Sequence, residues 1–271
     1  VSGERTALVT LVIGRAYATM WHRLAAPSWR HYAARHGYRV IALDAPLDTS
    51  PRAQARSPAW QKCLVLGVAE VACHDRVVWV DADVVVHPEA PPVADAVPLE
   101  RVGAVDEYAS PDPTTYRWAL ARMYEEWRRT GQPFLDNLTP REYYATRGLP
   151  AAHDRVVQSG VLVLSPARHR DLFETIYARY EDPGGARWGE MGPLSHEVLS
   201  AGLAHWLDPR FNAPFAVWRA LARLDPASDG DANVARRAAE TAMERSYFLH
   251  FGGRHADMLL LVPWLRQRGL L

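Results

Sequence analysis

Lysine is almost missing from this chain: Lys62 is the only one among 31 basic side chains, the rest being arginine. Asparagine and isoleucine are scarce too, a pattern of coding bias. A lysine that persists where nearly every other cation is arginine is either a chance survivor or marks a place that needs a compact, flexible ammonium. Cysteine is limited to Cys63 and Cys73. Both fall on one expected helix, where ten residues rise about 15 Å, while a disulfide needs Cα atoms within about 7 Å. Two cysteines alone also make no zinc site. No long apolar run is present: the stretch 77–86 is cut by Asp81 and Asp83 and falls far short of the roughly 20 residues that span a bilayer. Residues 1–6 lack a basic start followed by an apolar run, so no signal peptide is expected and a cytoplasmic location is. Neither charge predominates, with 31 acidic residues against 31 basic and no basic block. That balance argues against a nucleic-acid or anionic-membrane footprint.

What is present fits a globular enzyme with small-molecule partners: 271 residues, 48% apolar and 23% charged, with no repeat or inter-domain linker. Strands are expected at 7–13, 38–43, 77–80, 102–105, 161–164, 205–207 and 248–251. Helices are expected at 17–36, 60–73, 114–129, 167–180, 193–201 and 231–244. The alternation argues for one α/β domain with a mostly parallel sheet, whose ligands bind at the carboxyl ends of strands. The polar stretch 130–155 is expected to lie as a mobile segment over a site.

The strongest chemical signal is Val77-Val78-Trp79-Val80-Asp81-Ala82-Asp83. A buried strand delivers two carboxylates to its carboxyl end, and side chains two apart share a face of an extended chain. Both can approach one hard divalent cation, which completes its shell with phosphate oxygens. Ala82 between them leaves room for a ligand against the backbone. The other reading is an Asp-x-Asp that caps a turn and faces water. Read alone, His250 in Tyr247-Phe248-Leu249-His250-Phe251 is an ordinary hydrogen-bonded strand residue. Gly252 and Gly253 after it free backbone amides to approach a diphosphate.

With that strand-end acid pair the chain resembles the nucleotide-sugar-dependent glycosyltransferases of the GT-A fold. Gln158-Ser159-Gly160-Val161 resembles the Asn-(Ala/Ser)-Gly-Val strand of the glycogenin-like and bacterial α-galactosyltransferase families. Ser195-His196-Glu197-Val198-Leu199-Ser200 lies where those families carry Asp-Gln-Asp-x-Leu-Asn, and 207–212 is similar to their Leu-x-Pro-Arg-(Trp/Tyr)-Asn. His250-Phe251-Gly252-Gly253 resembles their His-(Phe/Tyr)-x-Gly. Trp60-Gln61-Lys62 resembles the Trp-x-Lys of plant and fungal α-xylosyl- and α-galactosyltransferases. In order and rough spacing the likeness covers residues 7–256.

The resemblance implies a single Rossmann-like GT-A domain over 1–271, with a mostly parallel central sheet flanked by helices. Its nucleotide-binding half is 1–106 and its donor-sugar and acceptor half 107–271. It implies Mn²⁺ or Mg²⁺ on Asp81, Asp83 and His250, a nucleoside-diphosphate sugar as donor, and a hydroxyl acceptor on a sugar, glycoside or natural product. Thr10, Leu11 and Ile13 are where the base and ribose bind, and Lys62 lies near the diphosphate. Asp106 and Ser159 fall among the donor contacts, with a turn-forming Asp the other reading of Asp106. The families hold the diphosphate with a Lys beyond the His, and Arg254 or His255 stands there instead. For the β face of the sugar the residues are Gln158, His196 and Glu197, then Asp154 and Glu190. His196 replaces the families' Gln, and Glu197 pairing with an arginine is the alternative. Retention of configuration is expected. The other readings are an inverting transferase with Glu197 or Glu190 as base, a sugar-1-phosphate nucleotidyltransferase, and a non-catalytic sugar-nucleotide binder. Residues 11–16 hold only one glycine where the nucleotidyltransferases carry a glycine-rich loop.

Overall fold

A computed structural model of the chain describes residues 5–130, 138–182, 189–224 and 231–271. A central six-stranded sheet runs in the order β2-β1-β3-β6-β5-β7, and a small one in the order β4-β9-β8. The strands are β1 Thr6–Leu11, β2 Arg39–Leu43, β3 Arg76–Val80, β4 Val84–Val86, β5 Val102–Asp106, β6 Val157–Leu164, β7 Ala204–Trp206, β8 Ala213–Pro214 and β9 Phe248–His250. In the central sheet only β6 runs antiparallel to its neighbours β3 and β5. The mostly parallel α/β plan holds.

Both faces of that sheet are covered, which is why β3 reads as an unbroken apolar run. Val78 and Val80 point into one core with Trp29, Val84 and Phe248, and Val77 and Trp79 into another with Trp60, Phe173 and Leu194. A third cluster, Tyr108, Tyr116, Tyr143, Tyr144 and Val217, lies below the end of β5.

Several expectations change in detail. The expected helix 60–73 is a 3-10 helix at Pro58–Gly67 followed by a short α-helix at Ala69–Ala72. Side chains three apart eclipse in a 3-10 helix, and Trp60, Cys63 and Leu66 form one fully buried row. Packing, rather than helix propensity, selects it. Cys63 and Cys73 are both free. The expected helix 17–36 begins at Arg15 and contains a π-helical segment, Trp21–Ala25. Strand β4 is the three valines that end the stretch 77–86, and β8 has no signal of its own; β9 supplies the partner for each. Of the stretch 130–155, residues 131–137 lie outside those described, and Pro140–Ala145 is a helix capped by Thr139 and Glu142. No helix among the described residues is long and apolar enough to cross a membrane.

Candidate metal and donor site

β3 ends at Val80, and the chain turns at once. Asp81 N donates to Gly160 O on β6 at 2.8 Å, and Val84 N closes a turn back to Asp81 O at 3.1 Å. In the small sheet Val84 pairs with His250, and Phe251 N donates to Asp83 O at 2.9 Å. The two sheets therefore deliver Asp81 and Asp83 from one side and His250 from the other. One ligand atom from each of the three lies within 4.8 Å of the others. His250 Nε2 stands 3.2 Å from Asp83 Oδ1 and 3.8 Å from Asp81 Oδ2. Gly160 makes the approach possible: a Cβ there would come within 2.5 Å of His250 Cε1.

The chemistry of this donor set fits a hard divalent ion. Burial works against the His250 imidazolium, but the carboxylates of Asp83 and Asp81 outweigh it and raise its pKa. Burial likewise disfavours the Asp83 carboxylate, and His250 more than offsets that, lowering its pKa. On the far edge of the ring, Nδ1 donates to Asn212 Oδ1 at 3.0 Å. Asn212 Nδ2 donates in turn to Gln158 Oε1, which also accepts from Gly160 N at 2.6 Å. A proton fixed on Nδ1 leaves the Nε2 lone pair directed at the acids, as a metal-ligating histidine requires.

Lys62 lies alongside, 3% exposed. Its ammonium is 3.0 Å from Asp81 Oδ1 and 2.7 Å from Glu190 Oε1, and donates to Ser159 O at 3.2 Å. Ser159 Oγ donates to Glu190 at 2.8 Å. Burial opposes the charge on both partners, yet Asp81 and Glu190 outweigh it and raise the Lys62 pKa, and Lys62 outweighs it and lowers that of Glu190. Leu11, Ile13, Tyr17, Lys62, Asp81 and Ala82 line a cleft at the ends of β1 and β3. The Tyr17 ring stacks on His255 with centroids 4.2 Å apart.

The remaining expected site residues are placed variously. Thr10 is fully buried within β1, its hydroxyl without a partner among the described residues. Asp106 accepts from Tyr108 N at 3.2 Å, and burial raises its pKa. Gly252 follows His250 closely, and Gly253 takes a φ of 75°, where a side chain would be strained. Arg254 is tied to Asp257 at 2.9 Å.

Gln158 stands against His250, but His196 and Glu197 are not brought to this group. His196 lies among Tyr144 and His153. Glu197 pairs with Arg179 at 2.9 Å and accepts from Tyr180 OH at 2.5 Å. Asp154 pairs with Arg141 at the surface. Glu190, ranked behind Glu197 from the sequence, is the acid that reaches Lys62. Sequence reasoning missed Asn212, although it closes the Leu207–Asn212 segment, because its partner His250 is remote in the chain. It also missed Glu107, whose carboxyl accepts from Tyr116 OH at 2.6 Å. Burial pushes that carboxyl up to about 7.

No protein-family model and no curated protein sequence matches the chain. Solved structures do. The chain is similar to a glycosyltransferase involved in glycosylation of the major capsid of PBCV-1, with TM-score 0.54, 13% identity, and 94% of this chain and 96% of that one covered. It is also similar to the bifunctional glycosyltransferase WbbM in its apo form, with TM-score 0.55 and 13% identity, 98% of this chain spanning 51% of that one. The chain has the GT-A glycosyltransferase fold.

Proposed function

We propose that the chain is a metal-dependent glycosyltransferase that moves a sugar from a nucleoside-diphosphate sugar to a hydroxyl acceptor with retention of configuration. The observation that carries this reading is the Asp81, Asp83 and His250 group with the Lys62 ammonium beside it, opening onto the cleft at the ends of β1 and β3. Mn²⁺ or Mg²⁺ bound there supplies Lewis-acid stabilisation of charge on a departing diphosphate. Asp81 and Asp83 hold the ion through carboxylate oxygens and His250 through Nε2. Lys62 adds a second positive charge within reach of the diphosphate. The Gly252 and Gly253 amides and Arg254 serve the same group from the opposite side. Leu11, Ile13 and Ala82, which line the cleft, border the base and ribose, chiefly through backbone, and Thr10 backs them from within β1. Asp106 and Ser159 hold donor-sugar hydroxyls, and the Gln158 carboxamide lies beneath the sugar.

Retention needs no protein base, since a departing phosphate oxygen takes the acceptor's proton. The acids first considered as bases are already engaged: Glu190 with Lys62 and Ser159, Glu197 with Arg179 and Tyr180. One observation favours a second reading, inversion with Glu107 as general base, because a carboxyl pushed up to about 7 suits proton removal at neutral pH. The test is a thermal-shift panel of nucleotide sugars with Mn²⁺ to find the donor, followed by NMR of the product's anomeric coupling. An α-configured donor giving an α-linked product supports retention. A β-linked product refutes it and promotes Glu107.

A further inference from the structure

A cavity of about 770 Å³ opens between His31, Arg35, Pro88, Glu89 and Arg268. It shares no lining residue with the donor cleft. Its size falls within the roughly 300–1,000 Å³ of small-molecule sites. Asp83 and Pro88 are five residues apart with β4 between them, so the cavity lies within about 18 Å of the metal centre, toward the other end of that strand.

The basic side chains reach this one space from two helices. His31 and Arg35 are four apart on the helix Ala26–His36 and share a face, while Trp29, Tyr32 and Ala33 take its buried side. Tyr32 OH donates to Pro91 O at 2.9 Å and Arg35 NH1 to Pro88 O at 3.0 Å, which ties the helix to the turn after β4. In that turn Glu89 N donates to His87 Nδ1 at 3.1 Å. Arg268 caps the end of the helix Val262–Gln267. Its guanidinium carbon lies 4.5 Å from the centroid of the Trp264 ring, and NH2 donates to Glu244. Both guanidinium groups are therefore held in place from behind.

Their charge is not cancelled inside the cavity. Among the described residues Arg35 has no carboxylate partner, and Glu89, the acid that shares the lining, forms no ion pair with Arg35, Arg268 or His31. Two planar forks and an imidazole, which presents an N–H even when neutral, face one concavity whose only carboxylate stands apart from them. Forks of this kind match the oxygens of a phosphoryl group, which offers one more acceptor and more charge than a carboxylate does.

We propose that this cavity binds the phosphoryl group of a small phosphorylated ligand, its oxygens on Arg35, Arg268 and His31 and a hydroxyl of the ligand on Glu89. Free phosphate and a phosphate ester share the chemistry that the cations recognise. The inference is independent of the transferase reading, since none of these residues belongs to the metal and donor group.

The test is calorimetry in EDTA with inorganic phosphate, glucose 6-phosphate and glucose. Wild type should bind both phosphates saturably at millimolar concentration and glucose at least about tenfold more weakly, the loss expected without charge-assisted hydrogen bonds. A tighter complex with glucose 6-phosphate than with phosphate means an ester, and equal affinities mean phosphate alone. Arg35→Gln should weaken both by about tenfold. Arg35→Lys keeps the charge without the fork and should lose less; it also serves if the Gln variant misfolds. Glu89→Gln removes a like charge from an exposed position and should tighten inorganic phosphate. Lys62→Met with Glu190→Leu, which strips the donor cleft of its ammonium, should bind phosphate as wild type does. No saturable phosphate binding by wild type overturns the site, as does binding unchanged in Arg35→Gln and Glu89→Gln but lost in the Lys62 variant, which would move the phosphate to the donor cleft.

Discussion

Asn212→Ala tests the link between the fold and the metal centre at a residue that touches neither ion nor donor. Asn212 is 1% exposed and accepts the Nδ1 proton of His250 at 3.0 Å. Without it, two outcomes compete. The Nδ1–H stays buried and unpartnered, at a cost of about 1–3 kcal/mol in stability. Otherwise the remaining imidazole proton moves to Nε2, where Asp83 Oδ1 accepts it at 3.2 Å. That second state blocks the lone pair a metal needs, so binding must first reverse the tautomer. Loss of such a partner typically weakens metal affinity by about 10–100-fold, or roughly 1.4–2.8 kcal/mol at about 1.4 kcal/mol per decade. Gln158 does not replace that acceptor, because the atom within 3.4 Å of Nδ1 is its Nε2, a donor, which favours the tautomer protonated on Nε2. Gln158 cannot accept that proton without giving up Gly160 N. The expected loss therefore lies toward the hundredfold end of that range. Asn212→Asp, with an acceptor at the same place, should keep most of the affinity. The assay is Mn²⁺ titration by EPR or calorimetry at constant pH. An Asn212→Ala protein that binds Mn²⁺ as wild type does, while Asp83→Asn does not bind it, refutes the tautomer argument.

Other outcomes follow from the same contacts. Glu190→Gln leaves the Lys62 charge paired with Asp81 at 3.0 Å and should cost about 1–3 kcal/mol in unfolding free energy, whereas Lys62→Met with Glu190→Leu should lose less; equal losses in denaturant titrations would contradict the buried pair. The folded-state pKa of His250 is raised, so its contribution to metal-free stability is full below about 6.5 and is lost as pH rises through the raised value. Mn²⁺ needs the deprotonated ring, so Mn²⁺ affinity should fall as pH drops through that value, and a flat affinity between pH 6 and 8.5 would show that His250 is no ligand. Glu197→Gln should cost far less than the ~10²-fold of losing a general base, because Glu197 serves Arg179 and Tyr180; a loss of that size in steady-state turnover would return Glu197 to the reaction.

The fold and the two acids of the candidate centre are legible in the sequence because their signals are local. Val77 to Asp83 carries strand, burial and acids in one run, and in a chain where strands alternate with helices such a strand is buried by helices on both faces. His250 needed the family likeness, since it meets Asp83 through the pairing of β9 with β4, and β4 is three valines between two turns. Glu190 and Glu197 show why spacing misled. Seven residues apart, they share a helical face but stand ~10 Å apart along the axis. Only the helix start meets Lys62, and the later acid meets Tyr180. Glu107 was overshadowed by Asp106 because alternation decides which of two adjacent acids shares the face of Gln158. That depends on the β5 and β6 register, which shifts between Ala104 and Val105.

Metal-dependent cleavage of a nucleotide sugar at Asp81, Asp83 and His250 releases a nucleoside diphosphate, which can be measured without knowing the acceptor. Wild type, Asp83→Asn and His250→Ala are each assayed on a panel of nucleotide sugars in Mn²⁺ and in EDTA. The expected result is release by wild type from one donor in Mn²⁺, its loss in EDTA, and at least a 10²-fold drop in both variants. Release that persists in EDTA, or that survives both substitutions at the wild-type rate, would contradict it.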